Sequence, residues 1–283
     1  MRVQTINEAF ELQSKKRKKK KKTYRLVLLW LKSVLMLALI IATLVFAALS
    51  PLFDVRYIEV NGAGHYKSED IKVISGLNTG ENGFKLIGSN PGYIFKLRIG
   101  SAEKLLQQKC PYIKDVKVRF AVPSTVVIDM TERSAYVVVQ YHGTSLVLDR
   151  EGYVLETAAS DKEYNLPFIG GLKFKNFKTG SMLVMENPEA FNTALKVLDV
   201  IKAVDGQESV KLYGYVDAVD AGDRRNVCIS LDGRIVVNLG DLLDLNYRIS
   251  VAKTVFIKDI KKDAKGKLDF TVGENPVFEP ESE

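Results

Sequence analysis

The chain has 283 residues, of which 46% are hydrophobic and 27% charged, with a formal net charge of +7. Residues 1–50 hold eleven Lys or Arg against Glu8 and Glu11, a net of +9, which leaves −2 for residues 51–283. The basic character therefore belongs to the N-terminal tail. The larger part of the chain has length enough for one large or two small domains with real cores, and it lacks the basic footprint of a nucleic-acid binder.

Lys15 to Lys22 are eight consecutive basic residues, followed by Arg25. With no aromatics interleaved, the run reads as a solvated, disordered topology signal, compatible with contact to anionic lipid. Leu26 to Leu49 are 24 residues carrying one charge, Lys32. At about 1.5 Å per residue they make about 36 Å of helix, enough for a hydrocarbon core of about 30 Å. Lys32 can extend its stem back toward the headgroups, and Pro51 suits the end of the helix. A cleaved signal peptide is the rival reading, since Ala47, Ala48 and Ser50 are small. Its apolar core would be shorter, roughly 7–15 residues. The basic flank predicts a cytoplasmic N-terminus, with nearly everything after the helix outside.

Val55 to Val60 read as a strand closed by Asn61-Gly62. Ser68 is placed to cap a helix with Glu69 and Asp70 in its first turn and Ile71 and Ile74 on its apolar side, ended by Gly76. A Gly-rich stretch runs from Asn78 to Gly100. Ser101 can cap a second helix through Lys109, which stops before Pro111. Val116, Val118 and Phe120 alternate with Lys117 and Arg119, and after a turn at Pro123, Val126, Ile128 and Met130 alternate with Val127 and Asp129, which predicts a hairpin with one buried face.

Five pieces of this segment resemble the POTRA domain of bacterial division proteins of the FtsQ/DivIB family: IEVNG from Ile58, SEDI from Ser68, SGLNTG from Ser75, PYIKDVKVR from Pro111 and PSTVVIDMTER from Pro123. The order of parts is also similar, covering about residues 15–272. The Asn78–Gly100 connection is longer than the usual POTRA loop, and a small hairpin is one reading of it. The domains expected are a basic tail (1–25), a transmembrane helix (26–49), a POTRA domain (50–133, β-α-α-β-β), a β domain (134–272) and a disordered acidic tail (273–283). The fold class is α+β, the second domain being mixed α+β with a largely antiparallel sheet.

In that second domain, AYVVVQY from Ala135 begins a run of strands. The unit DREGYV from Asp149, followed by LPFIGG from Leu166, resembles the start of the family's β domain. Pro188 to Val204 predicts a helix whose Phe191, Ala194, Leu195, Leu198 and Ile201 line one core-facing side. Strands follow at 212–219, 227–231 and 234–239, the last two joined by Asp232-Gly233, a hairpin signal. Leu245 to Ile260 is a helix and Lys267 to Val272 a final strand.

No catalytic constellation assembles, and no cofactor, metal or small-molecule substrate is expected. His65 and His142 sit beside glycines in turns. Cys110 and Cys228 read as separate buried thiols, with a disulfide the rival reading. Asp217, Asp220 and Asp223 have a spacing that does not fit an EF-hand loop. Sheet edges remain as the useful feature. The resemblance implies a non-enzymatic scaffold at the division septum that binds FtsL-like and FtsB/DivIC-like coiled-coil proteins. Leu268, Asp269, Phe270, Thr271 and Val272 are expected on a partner-binding edge, with Tyr247 and Arg248 on the preceding helix as further candidates. The POTRA edge is a second docking site. Glu132 and Arg133 are expected at the domain junction, as a salt bridge setting the interdomain angle or as a direct partner contact. The rival functions are a POTRA-bearing chaperone or transport module and a membrane-anchored cell-wall hydrolase.

Overall fold

A computed structural model describes residues 27–88, 90–159, 164–206, 208–272 and 275–281; the basic run Lys15–Lys22 lies outside the described residues. Helix α1, Val27–Ala48, has 22 residues and no part of it is buried. A helix that is apolar on every side and packs against nothing is long and apolar enough to cross a membrane. Beyond it the strands are β1 (Tyr57–Asn61), β2 (Ile113–Ala121) and β3 (Thr125–Glu132), in a three-stranded sheet of order β1-β3-β2. The chain groups into two compact units, one of residues 1–59, 77–101 and 118–128, the other of residues 60–76, 102–117 and 129–283. These units cut across the boundary expected at 133.

In the first unit the end of α1 is fastened by one side chain. The buried amide of Asn82 donates to the backbone oxygens of Ala48 and Ser50, both at 3.2 Å, and accepts from Phe84 N at 3.1 Å. It thereby satisfies carbonyls that a helix terminus leaves without intrahelical partners. The Asn78–Gly100 stretch, of which a small hairpin is one reading, holds two short helices, α3 (Gly83–Leu86) and α4 (Pro91–Ile94). Asn82 and Asn90 each accept from a backbone N–H two residues on, and Pro91 occupies the first helical position, so local capping chemistry selects turns of helix over a hairpin. Phe53 meets Phe84 edge-on at 5.1 Å, and Phe84 meets Phe120 at 5.4 Å. Gly83 sits against that last ring, where a Cβ would lie 2.2 Å from a carbon of Phe120.

In the second unit α2 (Ser68–Ile74) starts one residue earlier than Ser68 would allow as a cap. Lys67 is the N-cap and makes no side-chain cap bond. A further helix, α5 (Gly100–Lys109), precedes β2. The nine-stranded sheet comprises β4 (Val137–Tyr141), β5 (Thr144–Leu148), β6 (Val154–Ala159), β7 (Phe168–Gly170), β8 (Val216–Asp220), β9 (Val227–Leu231), β10 (Ile235–Gly240), β11 (Gly266–Asp269) and β12 (Val277–Pro280), in the order β12-β11-β10-β9-β8-β7-β4-β5-β6. It is mixed and mostly antiparallel, with parallel pairings at β4–β7, β7–β8 and β10–β11. At the β9–β10 turn Asp232 and Gly233 both have positive φ, 55° and 63°, as a tight primed turn requires. The segment expected as a disordered tail contributes β12, which pairs antiparallel with β11.

One face of this sheet is covered by α6 (Pro188–Asp205), whose Phe191, Ala194, Leu195, Leu198 and Ile201 are all buried. The helix α7 (Leu245–Thr254) packs beside it and continues as a π-helical turn over Val255–Asp259. The two are pinned by Asp205, 2% exposed, which accepts from Leu212 N at 2.8 Å and Tyr213 N at 2.9 Å and pairs with Lys253 Nζ at 3.0 Å. Val138, Val147 and Leu155 form a separate buried cluster with Tyr112, against which Tyr66 packs.

The contact at Gly83 yields a test. Gly83→Ala forces a methyl into the Phe120 ring and is expected to cost about 2 kcal/mol. Chemical denaturation of the detergent-solubilised chain, followed by circular dichroism, should show the midpoint falling with the slope unchanged.

Candidate functional site

The expected edge at Lys267–Val272 is not an edge. The strand there is β11, with β10 parallel on one side and β12 antiparallel on the other. Leu268, Asp269 and Phe270 are 1%, 4% and 9% exposed, so their side chains are closed to a partner. Thr271 and Val272 are exposed. The physical reason is the close approach that Gly266 permits. A Cβ there would lie 2.3 Å from Glu279 O and 2.9 Å from Pro280 Cα, so only glycine lets β12 lie down beside β11. Phe278, opposite Leu268, packs on the sheet's core and holds the strand in register. Sequence reasoning missed β12 because an acidic, proline-containing end reads as unstructured. The signals that could have found it are the two apolar residues of VFEP and the glycine at 266.

Asp269 is the polar fixture of this region. Its carboxylate accepts from Thr271 N at 2.7 Å, Thr271 Oγ1 at 2.6 Å and Asn238 Nδ2 at 3.3 Å, and pairs with Lys267 Nζ at 2.5 Å. Burial alone would raise its pKa. The bonds from Lys267, Thr271 and Asn238 outweigh burial and hold the carboxyl down at about 2. The same contact, led by the hydrogen bond to Asp269, raises Lys267 above its ordinary value.

The two sequence candidates on α7 behave differently. Tyr247 is 56% exposed. Arg248 is a brace: its guanidinium donates to Leu239 O and, at 3.0 Å, to Asp241 O, and it pairs with the Asp241 carboxylate at 3.2 Å. Gly240, with φ +66°, lies between Arg248 and Thr271; a Cβ there would come within 2.8 Å of Thr271 Cγ2 and 3.2 Å of Arg248 Nη1. The fold thus brings Arg248 and Thr271 together beside Gly240, at one end of the β10–β11 pair.

Glu132 and Arg133 do not bridge to each other. The Glu132 carboxylate accepts from three successive backbone N–H groups, Gly64 at 3.0 Å, His65 at 2.5 Å and Tyr66 at 3.2 Å. The Arg133 guanidinium pairs with Asp149 at 2.6 Å and Glu151 at 2.8 Å, and stacks over the Tyr153 ring at 4.0 Å. Burial alone would lower the Arg133 pKa; its bonds to Asp149 and Glu151 prevail and raise it. Both side chains are half-buried and engaged by these partners.

The remaining polar candidates serve local turns. Asp217, Asp220 and Asp223 accept from the backbone N–H of Gly233, Gly222 and Arg225 at 2.5, 2.9 and 2.9 Å. Cys110 and Cys228 are free, and burial pushes both thiols up. His65 stacks on Tyr112 at 3.6 Å. Among the described residues no group of three or more His, Cys, Asp and Glu is placed to hold a metal ion. For the three-stranded sheet, β1 and β2 are the outer strands. Part of the β2 edge is covered, since Ile99 N donates to Val118 O and Phe120 N to Leu97 O, both at 2.8 Å.

Two tests follow from these contacts. Arg133→Ala leaves Asp149, whose side chain is 7% exposed, without its cation and is expected to cost about 3 kcal/mol, with Arg133→Lys intermediate because one ammonium cannot serve both carboxylates in a fork. Thermal melts of the three proteins check the order. For Asp269, the folded value lies below an unfolded value of about 3.9, so its contribution is full above about pH 4 and is lost as the pH falls through about 2. Asp269→Asn should flatten that acid limb of the stability curve by on the order of 2 kcal/mol.

Comparison with known proteins adds the following. Residues 53–133 match the family model described as "POTRA domain, FtsQ-type". The chain is 28% identical over 235 residues to the cell division protein DivIB of Clostridium acetobutylicum, covering 81% of this chain and 83% of that one. It is 24% identical over 247 residues to DivIB of Clostridium tetani, covering 87% and 85%. It is 25% identical over 185 residues to the cell division protein FtsQ of Corynebacterium glutamicum, covering 65% and 70%.

Proposed function

Because this chain belongs with the DivIB/FtsQ cell division proteins and carries an FtsQ-type POTRA domain, we propose that it serves division as a membrane-anchored scaffold that binds other single-helix proteins rather than as an enzyme. The basic run before α1 favours a cytoplasmic N-terminus with both folded units outside, at the septum. The partners in this reading are coiled-coil division proteins of the FtsL and FtsB/DivIC type, and the outcome is assembly or regulation of septal peptidoglycan synthesis.

The observation that carries the reading is the position of β12. It is the outermost strand of the nine-stranded sheet, paired on one side to β11. A strand at an edge offers a row of backbone donors and acceptors to an incoming segment. Glu281 N donates inward to Lys265 O at 2.9 Å, so by strand alternation the groups of Phe278 and Pro280 face outward. Pro280 has no N–H to give, which limits indiscriminate pairing at that end. Exposed Val277, Val272 and Tyr247 add apolar surface for side-chain selection. The binding edge is therefore assigned to β12 in place of Leu268–Phe270, with Val272 and Tyr247 kept as contacts.

Affinity purification of the tagged full chain from dividing cells, with the co-purified proteins identified by mass, tests this. The wild type is expected to bring down single-helix coiled-coil proteins. Gly266→Val, which pushes β12 off, should reduce their recovery at least about tenfold, and Tyr247→Ala by a smaller factor. Undiminished recovery with Gly266→Val, in a protein whose C-terminal segment has become sensitive to protease, would sink the assignment.

A further inference from the structure

Phe95 is 89% exposed, more than any other large apolar side chain among the described residues, including Phe46 on α1 at 84%. Its neighbour Ile94 is 49% exposed, and the same compact unit presents Leu52 at 59% and Val122 at 51%. An aromatic more exposed than the residues of a lipid-facing helix calls for a cover.

These residues are linked to the end of the anchor through a relay of packed and hydrogen-bonded neighbours. Phe120 N donates to Leu97 O at 2.8 Å, two residues past Phe95. The Phe120 ring leads through Phe84 to Phe53, at centroid separations of 5.4 and 5.1 Å, and Phe53 follows the anchor's Ala48 by five residues. Asn82, which opens α3, holds the Ala48 and Ser50 carbonyls directly. Val122 is at the same end, since Ser124 O accepts from Arg56 N at 2.8 Å. The charge agrees with the position. After α1, the described residues of this unit carry five basic side chains (Arg56, Lys85, Lys96, Arg98, Arg119) against three acidic ones (Asp54, Glu59, Glu81), whereas residues 51–283 as a whole are net negative.

We propose that the rim of Leu52, Ile94, Phe95 and Val122, with Lys85 and Lys96, is a second membrane contact that beds into the anionic headgroup region of the leaflet from which α1 emerges. Aromatic and aliphatic side chains flanked by lysines suit that boundary, where the apolar body enters the acyl edge and the ammonium groups meet phosphates. The contact holds the first unit down on the bilayer and removes the freedom that one helix alone would leave it. It rests on the reading of α1 as a membrane anchor.

The test uses the full chain in nanodiscs of phosphatidylcholine and phosphatidylglycerol, with or without bromine near the headgroup end of the acyl chains. Trp30 is the one tryptophan of the natural chain, so quenching of its emission reports insertion of α1. In the double variant Trp30→Phe, Phe95→Trp, the new indole is expected to lose about half of its emission to bromine, contact at that depth being 5–10 Å into the boundary. Adding Lys85→Glu and Lys96→Glu should restore most of it. Quenching of Trp30 without quenching of the position-95 indole overturns this contact and leaves the anchor standing. Quenching of neither overturns the anchor as well. A blue shift at position 95 without bromine quenching means that protein, such as a second copy, covers the rim, and also overturns the proposal.

Discussion

Helix α1 packs none of its side chains against protein, is long and apolar enough to cross a membrane, and runs directly into the first folded unit. Between Ala48 and β1 only residues 49–56 intervene, too few to act as a tether. The carbonyl of Ala48 at the end of α1, and that of Ser50 just beyond it, accept from the side chain of Asn82. The aromatic series Phe53, Phe84, Phe120 then carries the contact from the anchor's end into the sheet. Glycine at 83 leaves the space in which the Phe120 ring packs.

At the far end the constraint is the sheet edge. Nine strands in an open sheet leave two flanks, and unpaired backbone at a flank pairs with whatever arrives. Here β12 lies outside β11, so the outer strand is the short VFEP segment rather than the more buried KLDF. Gly266 allows the approach, and Asp269 fastens the turn that follows by collecting donors from Thr271, Asn238 and Lys267. The strand inside is sealed by its neighbours, while the one outside keeps a row of groups available.

The polar residues around position 133 illustrate a different economy. Glu132 and Arg133 adjoin in sequence and carry opposite charges, which invites pairing them. β3 ends at Glu132, so Arg133 lies beyond the strand, and each side chain finds its own partners. Glu132 gathers the backbone of residues 64–66, and Arg133 gathers the Asp149–Glu151 turn and the Tyr153 ring. Both hold loops in place.

Local chemistry was legible from the residues alone. The apolar run of α1, the i, i+3, i+4 stripe of α6, the Asp232-Gly233 turn and the β2 alternation each depend on neighbours within a few positions, and each forms as the pattern implies, whereas in β3 Val127 is buried along with Val126 and Ile128. What only the tertiary structure decided were matters of who lies beside whom. Whether Leu268 is edge or interior depends on a strand ten residues later and on the missing side chain of Gly266, a contact no periodicity encodes. Whether Arg248 is surface or brace depends on the carbonyls of Leu239 and Asp241 turning toward it. Long-range pairing has no local signature, because a side chain's role is set by the atoms that reach it, and those atoms come from elsewhere in the chain.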